Sequence, residues 1–184
     1  MKLKVFICVL GFLSLFSCKK DTLDAMPTTT TTGKFTLKSP AFTDNGTFPK
    51  EHTCDGASTS PPLSWENLPT GTKSIAITMH HIPPEGGKHV YMVLYNISTT
   101  LMSIPVAVTG VGKWGINTVN GKNVYTPPCS QGPGPKIYVL TAYALSAEPL
   151  ITTTASATTM DVLLEAIKNT TLSTSTLTVT YSRP

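Results

Sequence analysis

Charge is scarce in this sequence. Asp, Glu, Lys and Arg make up 13% of its 184 residues, and the net charge is +4. The basic residues form no cluster or stripe, which argues against a nucleic-acid partner. Long apolar runs are missing as well. Val5 to Leu13 is apolar throughout, yet it is far shorter than the about 20 residues of a membrane-crossing helix. No Gly-x-Ser-x-Gly motif surrounds Ser58, Ser60, Ser64 or Ser130, so a serine hydrolase has no nucleophile setting. The histidines, His52, His80, His81 and His89, have no partners at zinc spacing. In a strand His80 and His81 would also point to opposite faces. No catalytic set, metal site or cofactor is expected. A Cys129–His80 pair, as nucleophile and base, is the enzymatic arrangement left open. The sequence has no internal repeat.

What is present begins at the N-terminus. Lys2 and Lys4 precede the short apolar run, and Leu15-Phe16-Ser17-Cys18 closes it. A basic start, an apolar core and a small residue at the end form the pattern of an export signal. The small residue directly before a cysteine resembles a bacterial lipobox, in which the cysteine thiol is acylated and the chain is cut before it. Residues 1–17 are therefore expected to be a lipoprotein signal peptide, with Cys18 the lipidated residue; the alternative is an ordinary signal peptide with an incidental cysteine. Acyl chains hold a protein at a bilayer because each buried methylene contributes about 0.8 kcal/mol. Residues 18–33, threonine-rich and without a face to bury, read as a linker. The expected location is the bacterial cell envelope, lipid-anchored, on the periplasmic or the surface side.

Residues 34–184 suit one domain. That stretch holds 10 basic and 8 acidic residues, a mild balance of +2. Ile75, Ile77 and Met79 recur at period two, the mark of a strand. Tyr91 to Ile97 and Lys136 to Leu145 are nearly continuous apolar runs, and Leu177, Val179 and Tyr181 alternate again. One helix is expected from Thr159 to about Lys168. Thr158 would cap it, Asp161 stands in capping-box position, and Val162, Leu163, Ala166 and Ile167 make the apolar stripe. Proline pairs punctuate the loops at 61–62, 83–84 and 127–128, with Pro133 and Pro135 beyond. Proline lowers the entropy lost on ordering a loop, so these loops are candidates for a rigid mouth at one end of a sheet.

Read in order, these segments resemble the phosphatidylethanolamine-binding protein family, in its bacterial Raf kinase inhibitor-like branch. Cys54-Asp55-Gly56-Ala57-Ser58-Thr59-Ser60-Pro61-Pro62-Leu63-Ser64-Trp65 is similar to its "cDG-x-x-SPpLsW" segment. Pro69-x-Gly71-Thr72-Lys73-Ser74, Asn96-Ile97, Tyr125 to Gly132, and Tyr138 with Tyr143-Ala144-Leu145 continue the likeness in register, from Phe35 to about Tyr181. The resemblance implies a mainly β fold: a β-sandwich with Greek-key-like connections, a central antiparallel sheet and one or two short helices. It also implies a small pocket at one end for phosphate or a phospholipid head group, and a binding or inhibitory role rather than an enzymatic one.

Residue by residue, the pocket motifs depart from the family. Its "DPDAP" loop falls on His80-His81-Ile82-Pro83-Pro84, exchanging the aspartates for His80 and Ile82. Its strand histidines fall on Tyr91 and Lys136, Tyr138 is kept, and Ser130 and Gln131 stand for two prolines after Cys129. The expected ligand-binding residues are thus His80, Tyr91, Cys129, Ser130, Lys136 and Tyr138. If they converge, negative charge has been exchanged for positive, and the hydroxyls add neutral donors. A filled, unused pocket on a protein that acts through an envelope protein partner is the alternative. With Cys8 and Cys18 assigned to the leader and the lipid, Cys54 and Cys129 remain. In an oxidising compartment they are expected to form a disulfide, with two separate thiols as the other outcome.

Overall fold

The computed structural model describes residues 33–131 and 134–183; the expected signal peptide, Cys18 and the expected linker as far as Thr32 lie outside them. In chain order the elements are β1 (Thr36–Lys38), β2 (Gly46–Thr47), β3 (Leu63–Glu66), β4 (Ser74–His81), β5 (His89–Ile97), β6 (Ser103–Ile104), β7 (Lys113–Trp114), β8 (Lys136–Leu145), α1 (Met160–Ile167) and β9 (Thr171–Tyr181). They form a mainly β sandwich of a three-stranded sheet, ordered β1-β3-β6, and a six-stranded sheet, ordered β2-β9-β8-β4-β5-β7. The large sheet is antiparallel except at its edge, where β2 runs parallel to β9. Strand β8 returns to pair with β4 rather than with its predecessor in sequence, which gives the connection its Greek-key character.

Period-two alternation builds the layers. Ile75, Ile77 and Met79 of β4, Tyr138, Leu140, Ala142 and Ala144 of β8, and Leu177 and Val179 of β9 pack in one core. Phe35, Leu37, Leu63, Trp65 and Ile104, from the small sheet and its flank, complete it. The opposite face of the large sheet, with Ala76, Val90, Val93 and Tyr95, meets Met160, Leu163 and Ile167 of α1. A strand covered on both faces has no reason to alternate in polarity. That is why β5 reads as a continuous apolar run.

Near its start, β5 carries an irregularity. Met79 pairs with Met92 and His80 with Val90, so Tyr91 is the extra residue of a β-bulge. A bulge bends the strand and re-aims a side chain. It lets Tyr91 join Met92 in the sandwich core while Val90 and Val93 serve the helix face.

The helix begins one residue later than the sequence suggests. Thr159, not Thr158, is its N-cap, with the hydroxyl accepting the Val162 amide at 3.2 Å. Thr158 closes the preceding turn instead and donates its hydroxyl to Thr154 O at 2.9 Å. Asp161 consequently forms no capping box; it accepts Lys88 Nζ at 3.0 Å, tying α1 to the start of β5.

Candidate functional site

At the end of the large sheet where β4 finishes and β8 starts, a cavity of about 370 Å³ opens to solvent. Its lining brings together Tyr91, Cys129, Ser130, Lys136 and Tyr138 of the expected set. His80 is not among the lining residues. His81 takes that place, because it continues the core-facing series 75, 77, 79, whereas His80 lies on the helix-facing side of β4. His89, Thr118, Val119, Gln131, Pro83 and Glu85 complete the wall. Period two is enough to select His81 over His80; His89 follows from it as the cross-strand partner of His81.

Each side chain has a structural reason for its place. Lys136 and Tyr138 share a face of β8, the lysine at the solvent end and the tyrosine fully buried. The Tyr138 ring meets Tyr91 edge-on at 5.4 Å and His81 at 5.5 Å between centroids, a packing aromatic rings favour. His81 Nδ1 lies 2.8 Å from Ile137 O. A carbonyl only accepts, so Nδ1 carries the hydrogen and Nε2 is the nitrogen left for other use. Thr118 is held by reciprocal bonds with Val90: its amide donates to Val90 O at 3.1 Å, and its hydroxyl accepts the Val90 amide at 2.8 Å. The buried Asn117 amide folds the adjoining loop through Lys122 O and the amides of Val119 and Asn120.

The remaining wall is fastened covalently. Cys54 and Cys129 form a disulfide with Cα atoms 5.2 Å apart across 75 residues of sequence. The Cys54 amide donates to Pro128 O at 3.0 Å, the Thr126 amide to Tyr91 O at 2.9 Å, and the Tyr125 hydroxyl to His52 O at 2.6 Å. These bonds set Cys129, Ser130 and Gln131 against the β5 end of the cavity. With its sulfur bridged, Cys129 is no nucleophile. His52 behind the wall is buried, which lowers its pKa below 6.5, and Nδ1 bonds Thr59 O at 3.1 Å. Of the loop prolines, Pro83 lines the cavity and Pro128 anchors the bridge, whereas Ser60-Pro61 belongs to another part of the surface, where Ser60 lines a second hollow with Trp114 and Tyr125.

Two residues of the first cavity carry polar atoms that are left over. The Tyr138 hydroxyl and the Ser130 Oγ are buried and have no hydrogen-bond partner among the described residues. Burial, with the neighbouring Tyr91 adding to it, pushes the Tyr138 phenol far above its ordinary value, and burial raises Tyr91 too. Both therefore stay protonated and serve as neutral donors across the ordinary pH range. Groups of three or more His, Cys, Asp or Glu side chains arranged for a metal ion do not occur among the described residues.

Known proteins agree with this architecture. A sequence model described as "Phosphatidylethanolamine-binding protein" matches residues 38–182. A UPF0098 protein of Chlamydia muridarum is 31% identical over 152 residues, covering 80% of this chain and 98% of the relative. The crystal structure of the phosphatidylethanolamine-binding protein homolog CT736 of Chlamydia trachomatis superposes with a TM-score of 0.75 at 29% identity, covering 82% of this chain and 99% of that one. A Mycobacterium tuberculosis protein named as a lipoprotein, LppC, is 29% identical over 128 residues, which are 69% of this chain and 63% of that protein. With a family match across nearly the whole folded part and a solved homolog of the same sandwich, the chain belongs to the phosphatidylethanolamine-binding protein family.

Proposed function

We propose that this protein binds a small anion, phosphate or a phospholipid head group, in the cavity between β4, β5 and β8, and does so while held at the cell envelope by a lipid on Cys18. The observation that carries the reading is that Tyr138 and Ser130, whose hydroxyls are buried and unpartnered among the described residues, line the same cavity as Lys136, His81 and His89. A buried hydroxyl without a partner is costly, and an anion offers the acceptors both lack. The anchor rests on the residues around Cys18 and on the lipoprotein name of LppC.

Calorimetric titration with inorganic phosphate tests the pocket. Heat of binding from the native protein, weakened about tenfold or more in Lys136→Ala, is the expected result. No heat from the native protein overturns it. Labelled palmitate should enter the full-length chain and be lost in Cys18→Ala; label that persists in the variant overturns the anchor.

A second reading, an interaction module for an envelope protein, has its own observation. Ile82 is 60% exposed and Ile137 55% exposed, and continuing the register that pairs His80 with Val139 sets them across from each other, with Ile137 on the face of β8 away from Tyr138. If phosphate gives no heat while Ile82→Ser abolishes crosslinking to a protein in envelope preparations, that reading replaces the first.

A further inference from the structure

The family is named for phosphatidylethanolamine, whose head group is a phosphodiester carrying an ammonium. The lining of this cavity is built for something else. Lys136, His81 and His89 supply its cationic or protonatable nitrogens, and Tyr138, Tyr91 and Ser130 its hydroxyl donors. Glu85 is the lone carboxylate among the lining residues, and it stands exposed on the loop between β4 and β5.

An ammonium brings three donors and no acceptor. Entering here, it would meet one carboxylate at the rim and otherwise a lysine and two imidazoles of its own or neutral sign. A terminal phosphate monoester makes the opposite demand. It carries close to two negative charges near neutral pH and three terminal oxygens, each able to accept more than one bond. The free donors match it: the Tyr138 and Ser130 hydroxyls have no partner among the described residues, Tyr138 is fully buried, and Lys136 stands on the same strand face. His81 has already used Nδ1 on Ile137 O, so its Nε2 is the nitrogen that a ligand can meet.

Resting on the proposed anion pocket, we infer that the cavity selects a terminal phosphomonoester without an ammonium group over the zwitterionic phosphodiester of phosphatidylethanolamine. A soluble phosphomonoester and the head group of phosphatidic acid share this chemistry. The selectivity comes from two features of the lining: an excess of donors over acceptors, and the confinement of negative charge to Glu85 at the rim.

The test compares glycerol 3-phosphate with glycerophosphoethanolamine by calorimetry on the full-length chain in neutral detergent. Glycerol 3-phosphate should bind about tenfold tighter or more. Lys136→Met should lose most of that preference, whereas Lys113→Met, on β7 away from the cavity, should keep it. Glu85→Gln should weaken glycerophosphoethanolamine further and widen the ratio. Equal affinities, or tighter binding of the zwitterion, overturn the selectivity while leaving the anion pocket standing. If neither probe nor inorganic phosphate binds, the pocket reading falls with it. Flotation with phosphatidylcholine vesicles containing phosphatidic acid or phosphatidylethanolamine then separates the sources. The Cys18→Ala chain is used there, so that the lipid anchor does not carry it to every vesicle. Recruitment by phosphatidic acid alone supports the selectivity with a lipid ligand. No recruitment, with glycerol 3-phosphate bound, supports it with a soluble one, and recruitment by phosphatidylethanolamine alone overturns it.

Discussion

Tyr138 and Tyr125 each carry a hydroxyl into the region around the cavity, and only Tyr125 has found a protein partner for it. The Tyr125 hydroxyl donates to His52 O at 2.6 Å, whereas that of Tyr138 is buried with none among the described residues. Removing the two hydroxyls should therefore have opposite consequences. Tyr125→Phe deletes a made bond and leaves a carbonyl short, a loss of about 1–2 kcal/mol in urea unfolding. Tyr138→Phe deletes no protein hydrogen bond, so its stability should stay within about 0.5 kcal/mol of the native chain or rise. Phosphate binding should nevertheless weaken in Tyr138→Phe. A Tyr138→Phe chain that loses as much stability as Tyr125→Phe would mean that its hydroxyl is already structurally employed. Asp55 offers a second residue-scale test. It accepts the Tyr181 hydroxyl at 2.9 Å and the Arg183 guanidinium at 2.7 and 3.0 Å. The Arg183 hydrogen bonds hold its carboxyl below the usual 3.8, with Tyr181 contributing in the same direction. A depressed folded pKa means that the contribution is complete above the usual value and is lost as pH falls from there through the folded one. The stability gap between native protein and Asp55→Ala should thus be constant near neutrality and shrink below about pH 4. A gap that stays constant into strong acid would contradict the ion pair.

Short elements place these residues, and the Cys54–Trp65 segment is the clearest case. Its Gly56 packs against the turn Lys50–His52 so closely that a Cβ there would overlap Lys50 O and stand 2.8 Å from Glu51 Cα. The neighbours are backbone and cannot swing aside. Gly56→Ala should cost about 1–3 kcal/mol by displacing that turn. Unfolding indistinguishable from the native chain would show that the turn yields freely. At α1, Thr159→Ala should cost about 1 kcal/mol through the lost cap to the Val162 amide, measured as a lowered urea midpoint. The four long strands are legible in the sequence because Ile75-Ile77-Met79, the β5 and β8 runs and Leu177-Val179-Tyr181 record which faces are buried. The helix cap is not, because Thr158 and Thr159 are equally good capping chemistries. Only the turn at Ala155–Ala157, which claims Thr158, decides between them. His80 passes for a wall residue when a loop motif is laid over the end of β4, where the strand in fact runs on to His81. The bulge that aims Tyr91 leaves no local mark: it is a mismatch between two strands, visible only once both are paired. Thr118 and Gln131 come from loops whose course depends on Asn117 and on the disulfide, contacts that no local pattern announces.

Across the whole molecule, the Cys54–Cys129 bridge joins the segment after β2 to the strand-free stretch before β8, and so encloses β3 to β7, two strands of the small sheet and three of the large one. Cross-linking residues 75 apart removes freedom from the unfolded chain worth about 4 kcal/mol in the loop-closure account, less whatever strain the native bridge carries. The double variant Cys54→Ala, Cys129→Ala should accordingly lose about 2–4 kcal/mol, a fall of roughly 4–16 °C in Tm for a domain of this size. The consequence should reach beyond stability. Cys129, Ser130 and Gln131 line the cavity, and between the sulfurs and the Thr126 amide the segment is otherwise fastened by the bond from the Cys54 amide to Pro128 O. Without the bridge, ordering that segment costs the ligand binding energy that the native chain has already spent in folding. Phosphate affinity of the double variant should therefore fall even under conditions where it remains fully folded, with Lys136, His81 and Tyr138 unaltered. Cys129 is exposed, so the same comparison can be made with the native chain before and after mild reduction. Unchanged affinity in both experiments would assign the disulfide to stability alone and leave the strand ends of β4, β5 and β8 to hold the site unaided.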